Sequence, residues 1–269
     1  MLLSKNQDAQ GHMLYDHYLG GDAPEFIERD DVVAADRAIC VFIDGEFYRT
    51  LIATPELVEE LMVGHLVCEG IIERLDDVVG VEVEPLRVNV ELREGVDLDL
   101  LNMSKVDIIT TACGSLGTPV RAGQLERFVD GSDVRVDAGK VMEMIRELNT
   151  RSSIYRETGG THSAMLCSDA GEVYAFAEDV GRHNAVDKVV GAGLMKGVDL
   201  SCCVVLSSGR QSSEIVLKVA RSGVPVVASV AGPLESGINV AMETGVTLIC
   251  FARGKRMNVY TYPERITGM

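Results

Sequence analysis

The stretch CCVVLSSGRQSSEIVLKVARSGVPVVASV (202–230) decides the fold of this chain. It holds two continuous apolar runs, 202–206 and 224–230, on either side of a helical pattern over 213–221 that stops before Gly223. A strand that is apolar along its whole length is typical of a sheet buried on both faces. A helix between two such strands indicates a parallel crossover. The stretch therefore predicts an α/β domain.

The segments on both sides of this unit continue the alternation of strands and helices. We predict, in chain order, a helix over 137–149 capped by Asp137, a hairpin of strands 163–167 and 173–177, a helix over 186–195, a helix between Pro233 and Gly245, and a strand over 246–251. Together with the central unit, these elements predict a mostly parallel sheet that is covered by helices on both faces. We assign this α/β domain to residues 119–269.

The first hundred residues have a different pattern. Residues 1–30 show no sustained periodicity, which indicates a flexible arm. Alternating segments at 32–43 and 46–53 flank Asp44-Gly45, a hairpin signal, and Thr54-Pro55 predicts the capped start of a helix that ends at Gly70. Two further alternating runs, 79–83 and 86–92, complete a smaller α+β domain over 31–104. The stretch 105–118 is then predicted to be a mobile loop between the domains.

Charge and composition exclude several classes of protein. The net charge is −16, and residues 1–150 hold 13 basic against 30 acidic residues whereas 151–269 hold 12 against 11. General nucleic-acid binding is therefore excluded, and the acidic half is either a solvated surface or a surface for a basic partner. No apolar run reaches the roughly 20 residues that cross a bilayer, and the N-terminus lacks a signal-peptide pattern, so we expect a cytoplasmic protein without membrane segments.

The chain has seven cysteines, and one of them differs from the rest. Their odd number and irregular spacing argue against a disulfide scaffold, and we expect Cys202, Cys203 and Cys250 to pack in strands of the core. Cys113 instead lies in the glycine-rich stretch TTACGSLG (110–117). A thiol in an exposed loop is a candidate nucleophile or sulfur carrier, although an ordinary loop residue is the alternative. A redox Cys-x-x-Cys pair is excluded because Leu116 occupies the second position.

The loop SSGRQS (207–212) joins a buried strand to a helix, where free amide groups and the helix dipole favour an anion. Simple helix capping explains the same residues equally well. Ligands of parallel sheets bind beyond the carboxyl ends of the strands. Arg210 follows one predicted strand, and Arg253, Lys255 and Arg256 follow another. We therefore expect these four side chains at one edge of the sheet.

Two histidines lie in polar clusters at the ends of apolar runs, His162 in GGTHS (159–163) and His183 in EDVGRHN (178–184). So many polar groups indicate a site rather than a core, and either imidazole can move protons or hold a ligand near neutral pH. The alternative for His183 is a structural role beside Asp179 at the start of a helix. A zinc deaminase would need a Pro-Cys-x-x-Cys pair, which is absent, so we expect no protein-bound metal.

Five motifs together resemble the formate dehydrogenase accessory sulfurtransferase family, FdhD, over about residues 30–266. They are TACGSLG (111–117), GGTHSA (159–164), EDVGRHNAVDK (178–188), SGR (208–210) and YTYPERI (260–266). The resemblance implies a cytoplasmic homodimer with a cytidine-deaminase-like, three-layer C-terminal domain without the deaminase metal site. It also implies a sulfurtransferase that takes persulfide sulfur from a cysteine desulfurase and delivers it to the molybdenum bis(molybdopterin guanine dinucleotide) cofactor of formate dehydrogenase.

The resemblance also implies roles for particular residues. Cys113 is the expected persulfide carrier, and 251–256 matches the family's contact with the molybdenum cofactor. The predicted cofactor-binding residues are Phe251, Ala252, Arg253, Gly254, Lys255, Arg256, Ser208, Gly209, Arg210, His162, Arg182 and His183. Leu116 stands where many members have a second cysteine, so a chaperone that binds the cofactor or a guanine nucleotide without sulfur transfer is the alternative function. A metal-dependent nucleobase hydrolase ranks third.

Overall fold

The computed structural model describes residues 12–16, 25–29, 31–96, 129 and 132–268. The predicted cysteine loop at 105–118, including Cys113, lies outside the described residues. Within the stretch predicted to be an arm, strands β1 (His12–Asp16) and β2 (Glu25–Arg29) form an antiparallel pair.

A four-stranded sheet forms the N-terminal unit. Its strands are β3 (Arg37–Ile43), β4 (Glu46–Ala53), β5 (Val78–Glu84) and β6 (Arg87–Leu92), in the order β4-β3-β6-β5. The predicted hairpin is confirmed, since Asp44 and Gly45 both have positive φ, 50° and 81°, as a two-residue turn of this kind requires. Helix α1 (Val58–Glu69) packs on one face of the sheet and ends at Gly70, as predicted.

The C-terminal unit alternates strands and helices. The strands are β7 (Val136–Asp137), β8 (His162–Ser168), β9 (Val173–Asp179), β10 (Cys203–Ser207), β11 (Val226–Ser229), β12 (Thr247–Arg253), β13 (Arg256–Val259) and β14 (Ile266–Thr267). The helices are α2 (Ala138–Arg151), α3 (Ser153–Thr158), α4 (Arg182–Met195), α5 (Ser213–Arg221) and α6 (Glu235–Thr244). Asp137 caps α2 as predicted, because its carboxylate accepts a 3.1 Å bond from the Lys140 N–H.

Six of these strands form one sheet in the order β13-β12-β11-β10-β8-β9. Strands β10, β11 and β12 are parallel, while β8, β9 and β13 pair antiparallel with their neighbours. The α/β class is confirmed. The prediction of a mostly parallel sheet is wrong in this respect: three of the five strand pairings are antiparallel, and the parallel strands lie at the centre. Tight hairpins join β8 to β9 and β12 to β13. The second of these hairpins was not predicted, since β13 is short and largely exposed.

Helices cover both faces of the sheet and give three layers. On one face α2 packs over residues such as Met165, Leu206 and Ile249, and on the other α4, α5 and α6 pack over Leu166, Val205 and Leu248. All six of these sheet residues are fully buried. Burial on both faces explains why the central strands are apolar along their whole length.

The two units meet where α1 lies against α4. Residues from Leu61 to Glu69 of α1 are all buried, because one side of the helix faces the N-terminal sheet and the other faces α4. The helix backbones touch: a Cβ atom on Gly64 would lie 1.8 Å from the carbonyl oxygen of Asp187. A Cβ atom on Gly191 would lie 1.9 Å from the carbonyl oxygen of Glu60. Glycine is therefore required at both positions.

The predicted start of α1 is wrong. The helix begins after Leu57, which has a φ of 54°, and it has no side-chain cap. The Thr54 hydroxyl instead accepts a 3.1 Å bond from the Val180 N–H, and the Thr54 N–H donates to Asp179 at 3.0 Å. The threonine thus joins the two units rather than capping a helix. In the described part of the chain, no helix has the length and apolar character needed to span a bilayer.

Candidate functional site

The carboxyl ends of the parallel strands form the edge at which most of the predicted site residues lie. Ser208, Gly209 and Arg210 follow β10 directly. Strand β8 runs antiparallel to β10, so its first residue, His162, lies at the same edge. Helix α4 starts there too, with Arg182 and His183, because β9 ends opposite His162. We call these six residues (His162, Arg182, His183, Ser208, Gly209 and Arg210) the central rim.

The loop of the central rim is held in place by hydrogen bonds from β10 and β11. The Gly209 N–H donates to the Ser207 hydroxyl at 3.1 Å, and the Gly209 carbonyl accepts from the Ser229 hydroxyl at 2.7 Å. Gly209 also lies under Arg182, since a Cβ atom at Gly209 would be 2.9 Å from the Arg182 Cβ. Helix α5 begins next, at the N-cap Ser212, whose side chain makes no capping bond. The first N–H groups of α5 are therefore free of a side-chain cap and favour an anion.

His162 is a half-buried imidazole in a basic environment. Its Nδ1 lies 3.3 Å from the Ser208 hydroxyl, which also accepts a 2.9 Å bond from the Ser163 N–H. Burial lowers the pKa of His162, and the nearby positive charges of Arg182 and Arg210 lower it further. These contributions show that the basic groups converge, and they make His162 a neutral hydrogen-bonding group at pH 7.

His183 is almost completely buried, and its nearest charged neighbour is Glu214 of α5. Its Nε2 lies 3.3 Å from the Glu214 Oε2, within ion-pair distance, and neither ring nitrogen makes a hydrogen bond within the described ranges. The contact with His183 is the largest cause of a lowered pKa at Glu214. Sequence reasoning missed Glu214. The available signal was an acidic residue in the first turn of the helix that follows the anion-binding loop.

The segment 251–256 forms a second basic element, which we call the basic hairpin. Gly254 and Lys255 make the two-residue turn between β12 and β13 and are exposed, as are Arg253 and Arg256. Neither arginine nor the lysine forms an ion pair within the described residues. Ala252 is different, since its side chain is fully buried in the core under α2 and cannot contact a ligand.

Phe251 is the most unusual residue of the basic hairpin. Its φ is 53°, in the left-handed region that costs a bulky residue free energy, and strain of this kind concentrates at functional sites. Its ring lies against the backbone of Gly232, where a Cβ atom would be 2.7 Å from the ring. The Arg253 guanidinium is 5.8 Å from the ring centroid.

The central rim and the basic hairpin lie at the same edge but on different strands. Two inter-strand steps separate β10 from β12, and three separate β8 from β12. At about 4.8 Å per step, Arg210 and the hairpin are roughly 10 Å apart along the edge, and His162 is roughly 14 Å from the hairpin. The prediction that Arg210, Arg253, Lys255 and Arg256 share one edge agrees with this topology.

Much of the motif 178–188 is a buried structural network, so the interpretation of the whole motif as a site is wrong. The Asp179 carboxylate is fully buried and accepts bonds from Thr54 N, Gly181 N and Asn184 Nδ2 at 2.8–3.0 Å. Its ion pair with Lys188 is 2.6 Å long. Lys188 also donates to the Thr54 carbonyl at 3.0 Å. The buried polar groups are thus hydrogen-bonded to one another, as is usual in protein interiors. These bonds connect the end of β4 to the start of α4.

A second buried network links α1, α4 and α5. Lys218 forms a 2.7 Å ion pair with Glu69 and donates to both carboxylate oxygens of Asp187 at 2.9 Å. The Asp187 carboxylate also contacts His65 Nδ1 at 3.0 Å. Burial alone would raise the pKa of Glu69 and Asp187, but Lys218 and His65 together outweigh burial, and both carboxyl pKa values lie below their ordinary range. The three charged groups are thus ionised together.

The buried cysteines of the six-stranded sheet are poor candidates for sulfur transfer. Burial raises the pKa of Cys167, Cys203 and Cys250 to about 12. The prediction that Cys202 packs in a strand is wrong, because it ends a short 3-10 helix and is exposed beside Asp199. It also precedes β10, at the opposite end from the central rim. Among the residues that the structure covers, no group of three or more His, Cys, Asp or Glu side chains could hold a metal ion.

Comparison with the sequences of known proteins places the chain in a family. The model of the FdhD/NarQ family matches residues 34–267. A protein named sulfur carrier protein FdhD from Methanothermobacter thermautotrophicus is 36% identical over 239 residues, which cover 87% of this chain and 91% of the relative. One of the same name from Shouchella clausii is 34% identical over 249 residues, or 91% of this chain and 93% of the relative.

A solved structure agrees with this relationship. A crystal structure from Desulfotalea psychrophila, of a protein described as a formate dehydrogenase accessory protein, has a TM-score of 0.74 and 26% sequence identity. The similarity covers 95% of this chain and 97% of that one. The fold therefore extends over both units, and the sequence relationship extends over nearly the same residues. The chain belongs to the FdhD/NarQ family.

Proposed function

We propose that this protein is a sulfur carrier for a molybdenum cofactor that bears guanine nucleotides, and that the cofactor binds at the central rim and the basic hairpin. The observation that carries the proposal is the set of exposed basic side chains at one edge of the sheet. Arg210, Arg253, Lys255 and Arg256 have no ion-pair partner in the described part of the chain. A site of this kind fits a ligand with several negative charges.

The arrangement of the basic groups favours phosphate over a single carboxylate. Arginine side chains bind phosphate oxygens with charge-assisted hydrogen bonds that are about twice as strong as neutral ones. The amide groups at the start of α5 add a second source of positive potential next to Arg210. The N-terminal half of the chain carries nearly all the excess acid, so this edge differs sharply in charge from the rest of the molecule.

The length of the edge favours an extended ligand. The roughly 14 Å between His162 and the basic hairpin exceeds the size of one phosphate and suits a diphosphate with a flat ring system on each side. Phe251 brings an aromatic ring to this edge, and the Arg253 guanidinium lies 5.8 Å from its centroid. A molybdopterin guanine dinucleotide combines these features, since it carries a pterin, a diphosphate and a guanine.

The sulfur-carrying step is assigned to Cys113, the residue that the family resemblance indicates. The Cys113 thiolate attacks the outer sulfur of a persulfide on a cysteine desulfurase. A new S–S bond forms on Cys113, the donor's S–S bond breaks, and the donor cysteine leaves as a thiolate. The buried cysteines of the sheet, with pKa values near 12, are unsuited to this step. The names of the relatives support the sulfur-carrying part of this proposal.

The client in this proposal is a formate dehydrogenase, and the protein acts in the cytoplasm as a homodimer. The description of the Desulfotalea psychrophila structure supports the choice of client. The cytoplasmic site of action and the dimer follow from the family resemblance. We describe the protein as an enzyme, a sulfurtransferase, because the persulfide transfer makes and breaks covalent bonds.

A second function is favoured by one feature of the sequence. Leu116 lies three residues after Cys113, where a second thiol would allow a two-cysteine relay. A chaperone that binds the cofactor without carrying sulfur needs the central rim and the basic hairpin but no thiol. The two functions therefore differ in their dependence on Cys113.

Complementation of a strain that lacks the native protein separates the two functions. The measured quantity is formate dehydrogenase activity with the Cys113→Ser variant, the Arg256→Glu variant and the control Arg146→Glu, which changes an exposed arginine of α2 that belongs neither to the central rim nor to the basic hairpin. Sulfur transfer predicts that the first two variants lose activity and the control keeps it. Full activity with Cys113→Ser and none with Arg256→Glu would establish the binding-only function.

A further inference from the structure

Glu214 is a carboxylate in a site that otherwise suits anions. It lies in the first turn of α5, and its side chain is 26% exposed. Contact with His183 lowers its pKa, and the nearby charge of Arg182 adds to the effect. A carboxylate at this place would repel a phosphate. If Glu214 contacts a ligand, it does so through a ligand group that donates hydrogen bonds.

Glu214 has two polar neighbours on one side of its carboxylate. Its Oε2 lies 3.3 Å from His183 Nε2 and accepts a 3.3 Å bond from the Ser212 hydroxyl. No residue of the described ranges donates a hydrogen bond to its Oε1. An ionised carboxylate has about four lone-pair positions, so one edge of this group is available to a ligand.

Unpartnered polar atoms of His183, which contacts Glu214, and of the loop before α5 provide a second and independent observation. His183 is 3% exposed, yet its Nδ1 makes no hydrogen bond to the described chain. Gln211, in the loop that leads to α5, is completely buried, and its Oε1 is likewise without a partner. Buried polar atoms are rarely left unsatisfied, so these atoms beside the central rim indicate hydrogen-bond partners that a ligand supplies.

We propose that Glu214 is a specificity-determining residue that binds the 2-amino-4-oxopyrimidine edge shared by guanine and pterin. This edge presents a ring N–H and an amino group side by side, two donors that match the two oxygens of a carboxylate. Adenine presents an amino group beside a ring nitrogen lone pair, which a carboxylate repels. The inference rests on the proposed function, since it names the ring that enters the central rim.

A purely structural role for Glu214 predicts a different outcome. If the carboxylate only balances the charges of Arg182 and His183, its replacement would change the affinity for every anionic ligand by the same factor. A specificity role predicts a change that depends on the base. The base dependence of nucleotide binding therefore separates the two roles.

The test is calorimetric titration of the full-length protein with GDP, IDP and ADP. Wild type is expected to bind GDP roughly 10- to 100-fold more tightly than ADP, which is the range for hydrogen bonds to a charged group. IDP lacks the amino group and should lie between them. Glu214→Gln should lose the preference for GDP and leave ADP affinity within about twofold. The control Glu243→Gln, at the far end of α6, should match wild type.

Two further measurements show whether the bound ring is a pterin or a guanine, and keep the test decisive if a variant misfolds. Neopterin, which has no phosphate, should compete with GDP in wild type if the pterin edge occupies the site, whereas GDP preference without competition assigns it to guanine. If Glu214→Gln folds poorly, Ser212→Ala removes one group that orients the carboxylate and should reduce the GDP preference partially. Unfolding curves of each variant check the fold.

The outcomes distinguish this inference from the proposed function. Equal affinity of wild type for GDP and ADP would overturn the role of Glu214, while the binding itself would still support the anion site. A uniform loss of affinity in Glu214→Gln would also overturn it. Failure of wild type to bind any of the nucleotides, together with failure to bind the intact molybdenum cofactor, would overturn both.

Discussion

Replacement of Lys218 by methionine tests how much the buried network between the two units contributes to stability. Lys218 is 3% exposed and forms ion pairs with both Glu69 and Asp187, which are themselves buried. Loss of one partner of a buried ion pair costs about 3–5 kcal/mol, because the charge left behind has no compensation. Here two carboxylates lose the same cation. We therefore expect the free energy of unfolding to fall by at least about 4 kcal/mol.

The assay is equilibrium unfolding in urea, with thermal unfolding as a second measurement. A loss of this size should lower the midpoint temperature by roughly 10 °C for a chain of this length. Lys140→Met is the matched control, since Lys140 forms an exposed 2.6 Å ion pair with Glu143. Exposed pairs contribute about 0–1 kcal/mol, so the control should be nearly neutral. A loss below about 1 kcal/mol for Lys218→Met would refute the reasoning.

The pH dependence of this loss has a definite sign. Burial would raise the pKa of Glu69 and Asp187, but in wild type Lys218 holds both below their ordinary values. Their contribution to stability is therefore present above the unfolded pKa values of about 4 and is lost as the pH falls through the folded ones. In the variant, which lacks Lys218, burial raises the pKa values of Glu69 and Asp187. The folded variant therefore takes up protons at these carboxylates as the pH falls. The difference in the free energy of unfolding between wild type and variant should therefore decrease from pH 7 towards pH 5.

Three other perturbations follow from single contacts. Gly64→Ala should reduce the free energy of unfolding by about 3 kcal/mol or more in urea, because its Cβ would lie 1.8 Å from a carbonyl oxygen, whereas Gly80→Ala, with 3.9 Å of clearance, should cost about 1 kcal/mol or less. Arg210→Gln should raise the pKa of His162 towards 6.5, as measured by NMR titration, and an unchanged pKa would contradict the convergence of basic groups there. In native protein at pH 8, Cys203 should resist iodoacetamide and should react once urea unfolds the chain, since its pKa is about 12.

The local elements of the fold could be predicted from the sequence because their signals are local. Apolar runs bounded by glycine located the central strands, and the pattern at 213–221 gave α5 with its observed bounds, Ser213–Arg221. The dipeptide Asp44-Gly45 gave the first hairpin. The shared edge of Arg210 and the basic hairpin followed from the parallel order of the strands.

The features that could not be predicted depend on partners far away in the chain. Thr54 looked like a helix cap, but Asp179, 125 residues later, takes its N–H. The charged residues of 178–188 looked like a site, because nothing local showed that β4 would cover them. Glu214 was overlooked for the opposite reason. An acidic residue in a first helical turn is common, and only its contact with the buried His183 sets it apart.

Mass spectrometry of the intact protein tests the central claim most directly. The full-length chain is incubated with a cysteine desulfurase and cysteine, and its mass is compared with that of a Cys113→Ser control treated in the same way. Sulfur carriage predicts one added sulfur atom that reducing agents remove and that peptide mapping places on Cys113. An unchanged mass in wild type, or the same addition in the control, would contradict the claim.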